Sequence, residues 1–436
     1  MESISFDSIG KTRRLDIITV LSSMGVFMDG YVLSIFSTAE IFLKSGFLDK
    51  TILLSIGASS IFIGMFAGSV FFGNLSDSDG RKKVFTYDLA FSAIFLILTG
   101  LSTNFLSFVL FQILAGIGIG ADYPISSSIQ AEFTPKKIRG KYLVFNIFSW
   151  SLGSIFFYIL SIPIYLYTGP DAWRYMYISA AFIPVLALVL RKRMPESPYY
   201  LMSSGHYGEA QDVVRQFGEE AGIKNIRAPS VSKERKSLAE LRKYFPLIFF
   251  TSVAWFSYDV SSYGIWNYTP SIFIGSSNSY LAGVIGTLLE EVPVIAGTIL
   301  CLLLIDSVGR RKLEYTGFAL AGISLFLYSI YSMHFMSSFA LLFAAFAMMH
   351  FFHNIGPTNI TYLYPSEVFP TNMRGTGTGI ATASSRVGAI MGVFLFPIIV
   401  SSLSLSYGLL FFAIFEFMGF AVTLKYAPET KGVSLK

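Results

Sequence analysis

Long apolar runs, each separated from the next by a short polar stretch, recur from one end of the chain to the other. Each is long enough for a helix of about 20 residues that crosses a bilayer. They fall near 16–42, 51–75, 84–102, 105–131, 142–167, 172–190, 245–274, 281–305, 314–333, 338–364, 377–400 and 405–426, twelve spans in all. The first follows Lys11, Arg13 and Arg14, outruns the apolar stretch of a secretory signal and precedes no small-residue cleavage site, so it reads as an uncleaved span. One long polar interruption, residues 191–243, carries eleven Lys/Arg and seven Asp/Glu. The pattern predicts an all-α integral membrane protein with twelve transmembrane helices. An N-terminal six-helix bundle covers 1–190, a cytoplasmic linker with short helices 191–244, and a C-terminal six-helix bundle 245–436. In the linker, Ser204–Ala210 leads into a helix ending near Glu220, and Ser237–Lys243 reads as another.

Composition agrees and excludes other classes. Of 436 residues, 53% are hydrophobic and 14% charged, against about 45–50% and about 25% in soluble domains. Mean hydropathy is +0.60. A soluble monomer could not bury this much apolar surface, and the single Cys301 cannot form an intramolecular disulfide. The net charge of +5 reflects loop placement rather than nucleic-acid binding. With the N-terminus inside, 28 of 32 Lys/Arg lie on inner segments, Lys44, Lys50 and Arg174 lie outside, and Arg386 lies within a span. This asymmetry places both termini and the linker in the cytoplasm of a plasma-membrane protein.

Three motifs recur in order. Asp77-Ser-Asp-Gly80-Arg81 returns as Asp306-Ser-Val-Gly309-Arg310, an offset of 229. Glu132-x-x-Pro135-x-x-x-Arg139-Gly140 returns as Glu367-x-x-Pro370-x-x-x-Arg374-Gly375, and Pro195-Glu196 as Pro428-Glu429, offsets of 235 and 233. The halves therefore form a parallel repeat, as in alternating-access carriers. All three motifs lie at the cytoplasmic edge. There Asp77, Glu132, Asp306 and Glu367 are expected to pair with Arg81, Arg139, Arg310 and Arg374 as latches that hold the inner gate shut. Topology alone needs the basic residues but not the acids.

Ionisable residues within spans are costly and mark function. They are Asp29, Asp122, Asp259, Glu290, Glu291, Arg386 and Glu416, with His350 and His353 in span 10. Asp29 and Asp259 are 230 apart, matching places in the repeat. Asp122 plus 235 is Pro357, beside Thr358, so spans 1, 4, 7 and 10 each carry a polar element and are expected to line one cavity. Trp255, Asp259 and Tyr263 are four apart and share a helix face. Gly116, Gly118 and Gly120 allow close helix approach beside Asp122, and Pro124 frees the Gly120 carbonyl for a bend. Asp122, alone in its span, reads as a proton carrier. Arg386 needs an acid or an anionic ligand, with Asp259 the resting partner and a substrate anion the competitor. Of the adjacent Glu290 and Glu291, at most one faces the cavity, and Glu416 reads as a packing or interfacial acid. His350 and His353 have i,i+3 spacing but no further ligands, so no metal is expected.

Gly73–Lys83, Pro195–Pro198, Pro365–Pro370 and Pro428–Gly432 resemble the loops of sugar-porter-type members of the major facilitator superfamily, and the resemblance covers nearly the whole chain. Within it, Ala121-Asp122-Tyr123-Pro124-Ile125-Ser126, Trp255–Gly264, Asn354–Pro357 running into Glu367–Thr371, and Asp29 with Tyr31 are similar to patterns of the phosphate:proton symporters. The resemblance implies proton coupling by Asp29 and Asp122 and substrate contact by Tyr123, Trp255, Asp259 and Tyr263. Four positions depart from the pattern. Val32 replaces an acid, Trp150 a glutamine, Thr358 an asparagine and Arg386 a lysine. Arg386 still suits an anion, and the indole of Trp150 suits a less polar solute than phosphate. The glutamine pair typical of sugar porters in span 7 is absent.

The expectation is a secondary active transporter that symports protons with a small anion, phosphate or an organic acid, with Tyr123, Trp150, Trp255, Asp259, Tyr263, Thr358 and Arg386 at the substrate site. It needs no cofactor, binds no nucleic acid and works as a monomer in the bilayer. Two other readings remain. One is a proton-coupled carrier of a neutral sugar or organic cation. The other is a non-transporting nutrient sensor, which usually has a long signalling tail where about ten residues follow span 12 here. An enzyme is not expected, since no nucleophile–base set appears.

Overall fold

The computed structural model describes residues 4–5, 9–44, 46–192, 194–223, 226–228, 242–277, 279–335, 338–370 and 373–433, with backbone only at 4–5, 73–74, 76–79, 87, 124, 227 and 274–277. The twelve spans appear as helices. Spans 1 to 5 are Arg13–Lys44, Thr51–Asp79, Arg81–Gly100, Phe105–Phe133 and Arg139–Thr168, and span 6 is Ala172–Ala180 followed by Phe182–Arg191. Span 7 is Phe245–Trp266 followed by Thr269–Ser277, spans 8 and 9 are Tyr280–Val308 and Arg310–His334, and span 10 is Phe339–Ile355 followed by Pro357–Val368. Spans 11 and 12 are Arg374–Ser402 and Leu405–Tyr426. Large apolar residues such as Leu289, Leu303 and Leu327 stay exposed mid-helix, as a lipid-facing surface requires.

Local signals set the boundaries. Asn104 accepts from the Ser107 N–H and its own N–H meets the Ser107 hydroxyl, a capping box that starts span 4. Gly80 and Gly309 sit at φ 102° and 103°, at matching places between spans 2 and 3 and between spans 8 and 9. Span 10 breaks at Gly356, and Pro357 opens the second piece at a position where its missing N–H costs nothing. Pro124 does not break span 4, which runs helical from Phe105 to Phe133.

The packing repeats with the sequence. Span 1 packs on span 5, 2 on 4 and 3 on 6; correspondingly 7 packs on 11, 8 on 10 and 9 on 12. The two sets meet where span 2 lies along span 11 and span 5 along span 8. Small residues permit the tightest crossings. A Cβ at Gly30 would sit 1.8 Å from the Trp150 carbonyl oxygen, and one at Gly116 would sit 2.1 Å from that of Ile61. The linker contributes Pro198–Ser203 and Tyr207–Glu220, the latter close to the helix read from sequence. Val214, Phe217 and Ile226 pack there with Ile9, Leu15 and Phe133, and the two-residue strands Ile4–Ser5 and Ile226–Arg227 pair in parallel. Most of Ser237–Lys243 lies outside the described residues.

At the edge that the Lys/Arg pattern predicts to be cytoplasmic, Glu132 receives two guanidiniums, Arg81 at 3.2 Å and Arg374 at 2.6 Å, while the Ser197 hydroxyl donates to its other oxygen. Arg374 opens span 11, so this ion pair ties spans 1–6 to spans 7–12. Arg310 takes Asp306 at 3.0 Å and Glu367 at 3.1 Å. Arg139 donates to the carbonyls of Ala131 at 3.2 Å and Val433 at 3.3 Å. The sequence pairing of each arginine with its loop's acid is thus partly redrawn, because Glu132 is buried and reached from both halves. The side chain of Asp77 lies outside the described residues. Deeper on the same side, Tyr362 donates to Asn146 at 2.5 Å and Asn146 donates to Ser23 at 3.2 Å. Glu132→Gln leaves two buried guanidiniums without their carboxylate, and breaking a buried pair costs about 3–5 kcal/mol. We expect a lower Tm and an inner side that opens more often. In a Cys301→Ala background, Ser23→Cys should then be alkylated several-fold faster with Glu132→Gln than without it.

Candidate functional site

Mid-depth polar groups form two neighbouring sets. The first lines a small cavity of about 40 Å³ walled by spans 4, 5, 7, 8, 10 and 11. Arg386 of span 11 pairs with Asp259 of span 7 at 3.1 Å, and both are almost fully buried. The guanidinium also lies 4.6 Å from the centre of the Tyr123 ring and 5.5 Å from that of Tyr263. Such cation–π contacts hold a cation where water cannot. Trp255, one turn from Asp259, faces Tyr123 and Tyr362 at 6.1 and 6.2 Å between ring centres. Trp150 packs against Trp266 at 5.2 Å and Tyr263 at 6.2 Å. Thr358, just past the break at Gly356, lines the same cavity, as do Asn354 and Asn359. An aromatic box with one ion pair at its wall suits a solute that has a charged end and an apolar body.

The second set lies behind the first, among spans 1, 3, 4 and 6. Asp122 meets Arg191 at 3.4 Å and accepts from the Ser126 hydroxyl at 2.9 Å. Asp29 is fully buried, neither of its oxygens has a hydrogen-bond partner in the described protein, and its charged neighbours are Asp122, Arg386, Asp88 and Arg191. Arg191 donates to the carbonyls of Leu21 at 3.0 Å and Phe85 at 3.1 Å and stacks over the Phe85 ring at 3.3 Å. Gly25 makes the cluster possible, since a Cβ there would fall 1.8 Å from an Asp122 oxygen.

Several sequence expectations change. Asp122 is not isolated: it pairs with Arg191, and its field reaches the buried Asp29 and Asp88. Arg191 was counted with the linker, but it is the last residue of span 6 and turns into the bundle with 1% exposure. Its hint is the unbroken apolar run before it, which leaves the guanidinium at a helix end against the core. Asp88, buried in span 3, was not among the candidates. Span 1 gives the cavity no lining residue, because Gly30 seats it directly behind Trp150 of span 5. Glu416 is neither interfacial nor a packing acid. It is buried, meets His353 Nε2 at 2.9 Å and accepts from the Ser261 hydroxyl. Glu290 and Glu291 are both buried away from the cavity lining, and the Ser154 hydroxyl donates to Glu291 at 3.2 Å. Among the described residues, no group of three or more His, Cys, Asp or Glu is placed to hold a metal ion.

The chain is 27% identical to inorganic phosphate transporter 1-4 of Arabidopsis thaliana, covering 96% of this chain and 91% of that protein. It is 26% identical to the niacin transporter NiaP of Acinetobacter baylyi, covering 88% and 86%. The fold superposes on the proton:xylose symporter XylE bound to 6-bromo-6-deoxy-D-glucose with a TM-score of 0.82 at 22% identity, covering 97% of each chain. The family model "Sugar (and other) transporter" matches residues 17–436. The chain belongs to this sugar (and other) transporter family, and it is a multi-pass membrane transporter, not an enzyme.

Proposed function

We propose that the protein is a proton-coupled symporter of a small organic anion with a flat apolar body, working as a monomer in the plasma membrane with both termini in the cytoplasm. The observation that carries this reading is the buried Arg386–Asp259 pair in an otherwise aromatic cavity. A substrate carboxylate competes with Asp259 for the guanidinium, which can hold it bidentately, while the rings of Tyr123, Trp150, Trp255 and Tyr263 take the apolar part. A relative named for niacin, a pyridine carboxylate, and another named for inorganic phosphate support an anion. Phosphate itself would leave the aromatic walls unused.

Asp29 and Asp122 hold the coupled proton. With Asp88 they set three buried acids against Arg191, and an excess of buried negative charge is relieved by protonation. A proton bound there from outside removes negative charge beside Arg386 and so favours an anion in the cavity. The halves 1–191 and 245–436, joined by the linker 192–244, then rock about the cavity, and the Glu132–Arg374 latch gives way. The second reading is a neutral sugar. Asn354, Asn359, Thr298 and Asp259 give the cavity hydroxyl-matching groups, and the family and the xylose symporter favour it.

A thermal-shift screen of the purified protein with benzoate, nicotinate, phosphate, glucose, xylose and an alkylamine separates these readings. Saturation at 100 times Kd stabilises by about 2.7 kcal/mol, enough to raise Tm by several degrees. We expect the aromatic carboxylates to give the largest shift and Arg386→Gln paired with Asp259→Asn to abolish it; a shift by xylose alone that survives this double substitution favours the sugar. In proteoliposomes, Asp122→Asn should cut pH-gradient-driven uptake of the stabilising solute at least tenfold while leaving counterflow exchange measurable. Unchanged gradient-driven uptake would remove Asp122 from the coupling.

A further inference from the structure

The C-terminal half holds a second buried acid–base pair that the mechanism above does not use. His353 of span 10 lines the central cavity, and its Nε2 lies 2.9 Å from Glu416 of span 12. The hydroxyl of Ser261, from span 7, donates to the same Glu416 oxygen. Exposures of the two side chains are 1% and 0%. Neither ring nitrogen of His353 makes a hydrogen bond in the described protein, so Nε2 faces the carboxylate by proximity alone and Nδ1 is open. Three helices from one half thus converge on a carboxylate with no packing need for charge, and Gly322 of span 9 makes room for it, since a Cβ there would sit 2.9 Å from Glu416 Cβ.

We propose that His353 and Glu416 form a second proton-binding site, separate from the Asp29–Asp122 cluster, which loads and unloads through the central cavity. In the loaded state the imidazole holds one added proton and the pair is neutral overall. In the unloaded state a neutral imidazole faces a bare carboxylate and the pair carries one negative charge. Burying that charge without compensation is costly. The loaded state therefore belongs to the closed cavity, and water reaching His353 Nδ1 lets the proton leave. On loading, the imidazole Nδ1 lone pair takes a proton from a hydronium reaching the cavity: an O–H bond breaks, an N–H bond forms and a water is left. The Glu416 carboxylate balances the new charge with no further atom transferred.

The groups that face the pair fit this role. On its own helix His350 lies one turn away, and Asn354, its amide held by the His350 carbonyl at 2.8 Å and its oxygen by Thr298 of span 8 at 3.3 Å, adds no charge. Span 7 brings Ser261 and the ring of Tyr258, 5.1 Å from that of His353. Span 9 brings Gly322, and span 12 Phe417 beside it. Across the cavity stand Asp259 and Arg386, already neutral as a pair. A proton here stands in addition to one held by Asp122, so each transport cycle has two places to carry one.

The test needs no substrate and uses the full chain in detergent. Protons taken up between pH 8 and pH 4.5 are counted by pH-stat titration of wild type, His353→Gln, Glu416→Gln and Asp122→Asn, each checked for an unchanged melting profile at pH 7. His353→Gln should take up about one proton fewer than wild type, and the deficit should add to that of Asp122→Asn in the double variant. In protein labelled with ¹⁵N-histidine, the His353 ring nitrogens should report a protonation change within this range, and Glu416→Gln should move its midpoint to lower pH. Should Glu416→Gln fail to fold, Ser261→Ala, which removes the hydroxyl and keeps the carboxylate, should move the His353 midpoint to higher pH. Equal proton counts in wild type and His353→Gln, or His353 nitrogens that stay in one neutral tautomer throughout, would overturn the proposal. A normal deficit for His353→Gln alongside none for Asp122→Asn would instead count against the role given to Asp122.

Discussion

A charge taken out of water and into the middle of a membrane must find a partner, and most of what is distinctive in this molecule follows from that constraint. Arg386 cannot shed its charge, so span 11 must present it to span 7, where Asp259 lies 3.1 Å away. Arg191, equally unable to neutralise, must turn inward from the end of span 6 to Asp122 and to the carbonyls of spans 1 and 3. Glu132 must meet two guanidiniums at the inner edge. Each pair fixes the relative placement of helices that hydrophobic packing alone would leave free to slide, because lipid tails and leucine side chains are equally apolar.

Such pairs also supply the means of switching. A buried pair is close to balanced: its attraction offsets the cost of desolvating both ions, with little surplus. A competitor that brings its own charge, such as a substrate carboxylate at Arg386, can therefore exchange with the resident partner at small net cost. In the proposed cycle, opening the inner side hydrates Glu132 and Arg374 together, and the latch gives way without leaving a bare charge behind. The aromatic walls do not exchange in this way. They set the size and polarity of what enters, and Trp150 and Trp255 make the chamber drier than an amide-lined one.

The two halves use one architecture for different ends. Packing pairs match throughout, from span 1 on 5 with 7 on 11 to span 3 on 6 with 9 on 12. Their polar contents diverge. The N-terminal half places Asp29, Asp88, Asp122 and Arg191 together behind the cavity, and the C-terminal half places Asp259, Arg386 and the imidazoles on its wall. Duplication preserves helix contacts, which depend on small residues at crossings, while side chains at the shared axis are free to specialise.

Much of this was legible in the chain before any coordinates. Apolar run lengths were enough for the spans, since the bilayer imposes a length, and Lys/Arg placement carries the expected orientation. The repeated loops gave the internal duplication, and Trp255, Asp259 and Tyr263 could be put on one face by helical periodicity alone. What periodicity cannot report is which helix stands behind another. That Gly30 seats span 1 behind Trp150, that Arg191 belongs to the bundle and not to the linker, and that Glu416 reaches His353 were all decided by tertiary packing. These facts depend on close approach between segments more than 60 residues apart, and the partners of a buried charge are set by which helices touch, a relation that no single stretch of sequence contains.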